Sequence, residues 1–362
     1  MAPLKSTHEN LFKSIKCRSK TLPSRVLLAP INTGFTSNGL PTYRLVRFHS
    51  ERSGTAIGIS MVGNVAIERT SRTNDRTAVL NSERDLARFA VLARAIARHG
   101  SLAGIQLASA PSALSPRRQW SVNDRPAEAT RLKEIVAAFT DKELSDHLAS
   151  FIRSARFAVK AGYDVVQIHA AHGYLLSLLL HPATNNRRGR FALYEKWFDE
   201  FVTEFSSVLG ESLSSIRLSV ITGLMPLDAE IRHATSISSI AVANGIDIVD
   251  LSAGFYTVDR KLIYPGAEWT GPVYARWLEA LARDLDCLVS IVGRITDFRT
   301  LTETLPGNVL VSIGRAFIAD PDFARKTRDG NFDDINKCVL KNQCHYFSRG
   351  LQTLECGVNP NL

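Results

Sequence analysis

The chain has 362 residues, 45% of them hydrophobic and 22% charged, the balance of an ordinary soluble globular protein long enough to bury about three quarters of its unfolded surface. Five cysteines in this length exclude a disulfide framework. The polar, basic stretch 1–20 lacks a leader's apolar core, and the longest aliphatic run, Tyr174–Leu180, is too short to cross a bilayer, so a cytoplasmic or other reducing setting is expected. The net charge of +9 calls for an anionic partner, but the basic pairs Arg117-Arg118 and Arg187-Arg188 are short and no nucleic-acid signature is present, so a phosphate-bearing cofactor is expected rather than nucleic acid.

Along the chain, short runs rich in Val, Ile and Leu alternate with longer stretches of helical period. The runs are Val26–Ile31, Ala56–Val62, Leu102–Ala108, Asp164–Ala170, Ser215–Ile221, Asp247–Ser252, Cys287–Val292 and Val309–Ile313. Their nearly continuous apolar character fits parallel strands buried on both faces. Between them, Asn81–His99 puts Leu86, Phe89, Leu92, Ala93 and Ile96 on one helical face. Thr140–Ala161 opens on Thr-Asp-Lys-Glu, a capping box. Ala229–Asn244, Pro272–Asp284 and Phe298–Thr304 continue the helical pattern, and Ser109–Phe139, with three prolines, reads as a long loop. Eight strand–helix repeats point to a (β/α)8 barrel or an open doubly wound sheet. No Gly-x-Gly-x-x-Gly follows an early strand, which favours the barrel: one domain over 1–362 with a cysteine-bearing extension at about 333–362.

The segment after the fourth run, Val166-Gln-Ile-His169-Ala-Ala-His172-Gly-Tyr174, is the most informative. Barrel chemistry sits at the C-terminal ends of strands, which is where His169, His172 and Tyr174 fall. Two imidazoles can hold a carbonyl or carboxylate oxygen and stabilise charge developing there, and a phenol can deliver a proton to a carbanion-like carbon. The plain alternative is a set of capping or core-edge polar groups; a trio at a strand end favours function over it. Two histidines three apart could also bind zinc, but no third ligand is evident nearby.

These residues resemble those of the old yellow enzymes, or NADH:flavin oxidoreductases, including the barrels of 2,4-dienoyl-CoA reductase and trimethylamine dehydrogenase without their extra domains. The resemblance implies FMN as cofactor, NADPH or NADH as reductant, and reduction of an activated alkene. In this reading His169 and His172 bind the electron-withdrawing group and Tyr174 protonates the α-carbon after hydride reaches the β-carbon. Arg25-Val-Leu-Leu-Ala-Pro30-Ile31-Asn32-Thr33 resembles the family's first strand, placing Pro30, Ile31 and Thr33 against the flavin. Val62-Gly-Asn64-Val resembles the second strand of one subgroup, and Gly104-Ile-Gln106 and Ser215-Ile-Arg217 the third and fifth, putting Asn64, Gln106 and Arg217 beside the ring. A cation there favours the anionic reduced flavin. Gly293-Arg294 and Gly314-Arg315 resemble the phosphate loops after strands seven and eight, where backbone N–H groups and a helix N-terminus would cradle the anion.

Departures from the family bear on mechanism. Many relatives carry His-x-Gly-Arg after the third strand; here the residues are Ser109-Ala-Pro111-Ser. The stretch His181-Pro-Ala-Thr-Asn185-Asn-Arg187 lacks the Tyr-Gly-Gly that usually follows it, and Asn64 stands where Ala or Gly is common. A specialised substrate is expected. Cys338, Cys344 and Cys356 resemble an iron–sulfur segment whose second cysteine is Lys341. A decayed motif kept for packing is favoured over a cluster or a zinc site, so no metal is expected. Besides ene reduction, the same residues admit a flavin-dependent isomerase or dehydrogenase, or a catalytically silent barrel acting as a binding subunit. Homo-oligomer formation is left open; no nucleic-acid or membrane partner is expected.

Overall fold

The computed structural model describes residues 9–110, 124–194, 196–269, 281–298, 301 and 305–362. Eight parallel strands close on themselves: β1 (Val26–Ile31), β2 (Ile59–Ala66), β3 (Leu102–Ala108), β4 (Val165–Ala170), β5 (Leu213–Ile221), β6 (Ile248–Ala253), β7 (Leu288–Val292) and β8 (Val309–Ile313). Each pairs with the next in sequence, and β8 pairs back to β1 through Val311↔Val26. The open doubly wound alternative is thereby excluded. The second strand lies about three residues later than its apolar run suggests, because Gly58 ends the entry turn by donating to the Val26 carbonyl.

The barrel's N-terminal end is closed by an antiparallel hairpin, Ile15–Cys17 with Lys20–Leu22, which the sequence pattern did not reveal. Leu22 joins Leu27, Ile59, Met61, Val165, Leu213, Ile248, Leu288 and Leu310 in one buried layer beneath the strands. Above that layer the interior turns polar. The amide of Gln106 donates to Gln167 (2.7 Å), and Gln167 donates to Ser215 Oγ and Asp250 Oδ2 (3.0 and 3.2 Å). Register then places Arg217 between His169 of β4 and Asp250 of β6.

The surrounding helices bury their apolar faces on this sheet. Helices expected at Asn81–His99, Thr140–Ala161 and Ala229–Asn244 are found at Leu86–Ala97, Asp141–Lys160 and Leu227–Ala243. Thr140 and Glu143 make the reciprocal capping bonds that their spacing implies, at 3.2 and 2.7 Å. The stretch read as the loop Ser109–Phe139 instead contains a helix, Arg125–Ala137, started by Asp124 accepting from the Ala127 N–H with a proline in the first turn. Its prolines misled because a proline at a helix start costs no hydrogen bond. The rest of that loop, 111–123, and nearly all of the expected helices Pro272–Asp284 and Phe298–Thr304 lie outside the described residues.

The C-terminal segment runs back across the barrel mouth. Leu354 N–H donates to the Thr33 carbonyl (2.8 Å), Tyr346 Oη donates to Asn32 Oδ1 (2.9 Å), and Asn359 Nδ2 donates to the Ile318 carbonyl (2.9 Å). Residues 344–348 thus form part of the wall above the strands.

Candidate active site

At the C-terminal end of the barrel a cavity of about 220 Å³ opens, bounded by strand ends below and the C-terminal segment above. Among the described residues its lining contains three arginines, Arg217, Arg294 and Arg315, and neither aspartate nor glutamate. Arg217 pairs with Asp250 outside the lining (3.5 Å), and the remaining positive charge makes the cavity suited to an anion.

The loop leaving β4 carries the trio. His169 is the penultimate residue of the strand; its Nδ1 accepts from the Ala171 N–H (3.3 Å), so its proton sits on Nε2. His172 has left-handed backbone, φ 63°, an arrangement that costs a non-glycine residue on the order of 1 kcal/mol. Two bonds hold it: its N–H donates to Ser219 Oγ (2.9 Å), and its Nε2 lies 2.8 Å from Ser252 Oγ. The three rings form one cluster, with centroids 5.0 Å apart for His169 and His172 and 4.4 Å for His169 and Tyr174. All three side chains are buried and line the cavity.

Burial, then the Arg217 cation, holds His169 well below the usual imidazole range; burial, then His169 and Arg217, does the same for His172. Both are therefore neutral near pH 7. Burial, with the neighbouring phenols Tyr256 and Tyr346, pushes Tyr174 well above the ordinary phenol range, so it keeps its proton and is an acid.

The residues expected to hold the flavin converge on the same space with one exception. Pro30 and Ile31 of β1, Asn64 of β2, Gln106 of β3, Arg217 of β5, Gly293 and Arg294 after β7, and Gly314 and Arg315 after β8 all line it. Thr33 does not: it is buried beneath the C-terminal segment, its Oγ1 accepting from the Phe35 N–H and its carbonyl from Leu354. The chain turns away after Asn32, which still lines the cavity.

Several buried polar atoms at the cavity have no hydrogen-bond partner among the described residues: Asn64 Nδ2, Arg217 Nε, Arg294 Nε and Ser312 Oγ. Buried donors are nearly always satisfied, so these four mark where a ligand rich in acceptors completes the site. Gly63 lets two lining residues pack closely, since a Cβ there would stand 2.7 Å from Pro30 Cβ and 3.0 Å from Gln106 Cβ. A ring with polar edge atoms and a phosphate tail fits this donor set. Arg315, expected as a phosphate contact, also donates to Asn342 Oδ1 (2.9 Å).

Several lining residues escaped the sequence reading. Tyr256 lies just after β6 and Tyr264 just after the short helix Arg260–Ile263, while His345, Tyr346, Phe347 and Ser348 come from the C-terminal segment. Tyr256 was accessible to the strand-end rule that found His169; Tyr264 lies beyond that rule's reach, and the C-terminal residues were hidden because that segment was read for its cysteines. Cys344 lines the cavity, and burial raises its thiol to about 12. Among the described residues no three His, Cys, Asp or Glu side chains are grouped to hold a metal ion, and no helix is long and apolar enough to cross a membrane. In the stretch that lacks Tyr-Gly-Gly, Asn185 and Arg187 are structural: Asn185 Nδ2 donates to the carbonyls of Leu179 and Phe191, and Arg187 Nη1 to those of Val136 and Phe139.

Residues 10–334 match the family described as NADH:flavin oxidoreductase / NADH oxidase. An NADH oxidase of Thermoanaerobacter brockii is 24% identical over 97% of this chain, and this chain spans 56% of that relative's length. An NADPH dehydrogenase of Bacillus subtilis is 26% identical over 87% of this chain and 93% of its own. The old yellow enzyme homologue of Zymomonas mobilis has the same fold, with a TM-score of 0.70, 19% identity, and coverage of 91% of this chain and 95% of that one.

Proposed function

This chain belongs to the NADH:flavin oxidoreductase / NADH oxidase family, and so to the FMN-dependent oxidoreductases of old yellow enzyme type; from that premise we propose that it reduces an activated C=C bond, for which FMN, when bound, would supply the hydride drawn from NADH or NADPH. The observation that carries the reading is the cluster of two imidazoles and one phenol buried in the wall of the cavity.

Pro30, Ile31, Asn64, Gln106 and Arg217 are the residues that would hold the ring, and Gly293, Arg294, Gly314 and Arg315 those that would hold the phosphate. His169 Nε2–H and the His172 ring would bind the carbonyl or other electron-withdrawing group. Because both are uncharged, they bind the oxygen without protonating it and strengthen their hold as charge builds there. Tyr174 would then release its proton to the α-carbon. Its high affinity for that proton suits an acid that must stay loaded at neutral pH until a strongly basic carbon forms. Among the described residues the lining lacks a competing carboxylate acid. Small-molecule alkenes are the proposed substrates, and cytoplasm or another reducing compartment the proposed setting, in keeping with five free cysteines.

Tyr174→Phe tests the assignment. Flavin reduction by the nicotinamide should stay within about twofold of the parent, while reoxidation by a cyclic enone should slow by about 10²- to 10⁴-fold, the usual contribution of a positioned acid. Stopped-flow absorbance separates the two half-reactions, and equal loss in both would remove Tyr174 from the donor role.

A further inference from the structure

Tyr174 does not stand alone. Its ring stacks on that of Tyr256, 5.8 Å between centroids and 22° apart, and the hydroxyl of Tyr256 lies 2.5 Å from that of Tyr264. Exposure rises along the series: Tyr174 is buried, while Tyr256 and Tyr264 are half-buried on the cavity wall. The outer two phenols are fixed by backbone. Tyr256 N–H donates to the His172 carbonyl (3.0 Å), and Tyr264 follows a one-turn helix whose N-cap is Asp259.

Arg260, on that same turn, is 1% exposed and has no ion pair among the described residues. Its Nε donates to the Tyr256 carbonyl (3.1 Å) and Nη1 to Ser348 Oγ (3.2 Å), while Nη2 has no partner among the described residues. A buried guanidinium ordinarily faces a carboxylate. Here the groups that favour its charged form are Tyr256 and Tyr264. A cation so placed has a use when a phenol beside it carries negative charge.

We propose that Tyr256 and Tyr264 form a proton-return path that reloads Tyr174 after each turnover, with Arg260 holding the phenolate charge as it moves outward. The path rests on the reading of Tyr174 as donor. In the balance of atoms, the Tyr174 O–H bond breaks as its proton forms the new C–H bond, and the electron pair stays on the phenolate oxygen. Tyr256 then gives its hydroxyl proton to Tyr174, and Tyr264 gives its own to Tyr256. Water at the cavity mouth supplies the last proton and releases hydroxide to solvent. One proton moves inward and no electron changes hands. Both outer phenols are raised by burial, but the Tyr264 bond, Arg260 and Arg217 act to lower Tyr256, which makes it the phenol best able to carry charge between its neighbours. Among the described residues the other titratable groups facing the series are His169, His172, His345, Cys344 and Tyr346.

The test uses the FMN-loaded protein and its flavin-free form, with Tyr256→Phe and Tyr264→Phe, changes that keep ring and packing. In the loaded protein Tyr264→Phe should leave the first reoxidation by an enone within about twofold, because Tyr174 starts with its proton. Sustained turnover should fall by about tenfold, more steeply as pH rises, when proton transfer from the relay is lost. In the flavin-free protein, NMR of isotope-labelled tyrosine Cζ should show the Tyr174 resonance shifted by Tyr264→Phe, although Tyr264 acts on it only through Tyr256. A wall of merely stacked rings moves neither readout: an unchanged pH profile of turnover, or an unmoved Tyr174 resonance, overturns the path. Should the parent protein reduce no enone, the functional reading fails separately. The NMR response then decides the phenol coupling, no shift of Tyr174 overturning it.

Discussion

The pair Arg217 and Asp250 allows stability and flavin chemistry to be separated. Their side chains are 6% and 2% exposed, with Nη1 3.5 Å from Oδ2, and among the described residues the only other partner of that carboxylate is the Gln167 amide at 3.2 Å. Removing the guanidinium in Arg217→Met leaves Asp250 buried with one neutral donor, and an uncompensated buried charge costs about 3–5 kcal/mol. Adding Asp250→Asn removes that charge as well, so the double variant should recover to within about 1–2 kcal/mol of the parent, since a buried pair replaced whole is often nearly neutral. Urea unfolding followed by circular dichroism reads both, provided the slope m is unchanged. Flavin chemistry should behave differently. Arg217 Nε has no partner among the described residues, and its cation is absent from both variants. Flavin reduction should therefore slow by about 10²-fold in each, the scale for losing one preorganised charge-stabilising group. A double variant as unstable as the single one would refute the stranded-carboxylate argument. Recovery of flavin reduction in the double variant would show that charge balance, rather than the cation, tunes the ring.

Two further outcomes follow from packing and burial. Gly63→Ala should destabilise by about 1–3 kcal/mol and weaken FMN uptake, because its Cβ would meet Pro30 and Gln106 at 2.7 and 3.0 Å and only a shift of the β1 end can relieve it; normal flavin titration with a normal melting temperature would contradict this. His49, 1% exposed with Nδ1 3.0 Å from Ser60 Oγ, is held down to about 3 by burial and then Arg52. Its folded value lies below its unfolded value, so the unfolded chain takes the proton first. This contribution is whole above about pH 6.5 and is lost toward pH 3 at about 1.4 kcal/mol per unit. His49→Gln should flatten the acid limb of a plot of urea midpoint against pH, and an unchanged slope would count against it.

The site was legible where chemistry follows the strand rule. His169, His172 and Tyr174 were found because a closed barrel presents whatever follows a strand to one mouth, and Pro30, Asn64, Gln106, Arg217, Gly293 and Gly314 reach that mouth by the same logic. Thr33 shows the limit. Two residues beyond β1 the chain bends, and only the bond from Leu354 to its carbonyl tells which way.

What the sequence by itself determined was the order and type of the barrel elements: apolar runs of strand length recur eight times, and buried parallel strands admit few other patterns. Capping chemistry likewise fixed the start of the helix at Asp141. What only the tertiary structure decided was every contact made across long stretches of chain. The hairpin at 15–22 plugs the floor, the segment at 344–348 walls the mouth, and Tyr256 comes to stack on Tyr174, about eighty residues earlier. A local pattern specifies a residue's element and face, but loops and termini lack that periodicity, so their partners are set by the shape of the closed barrel they must cover.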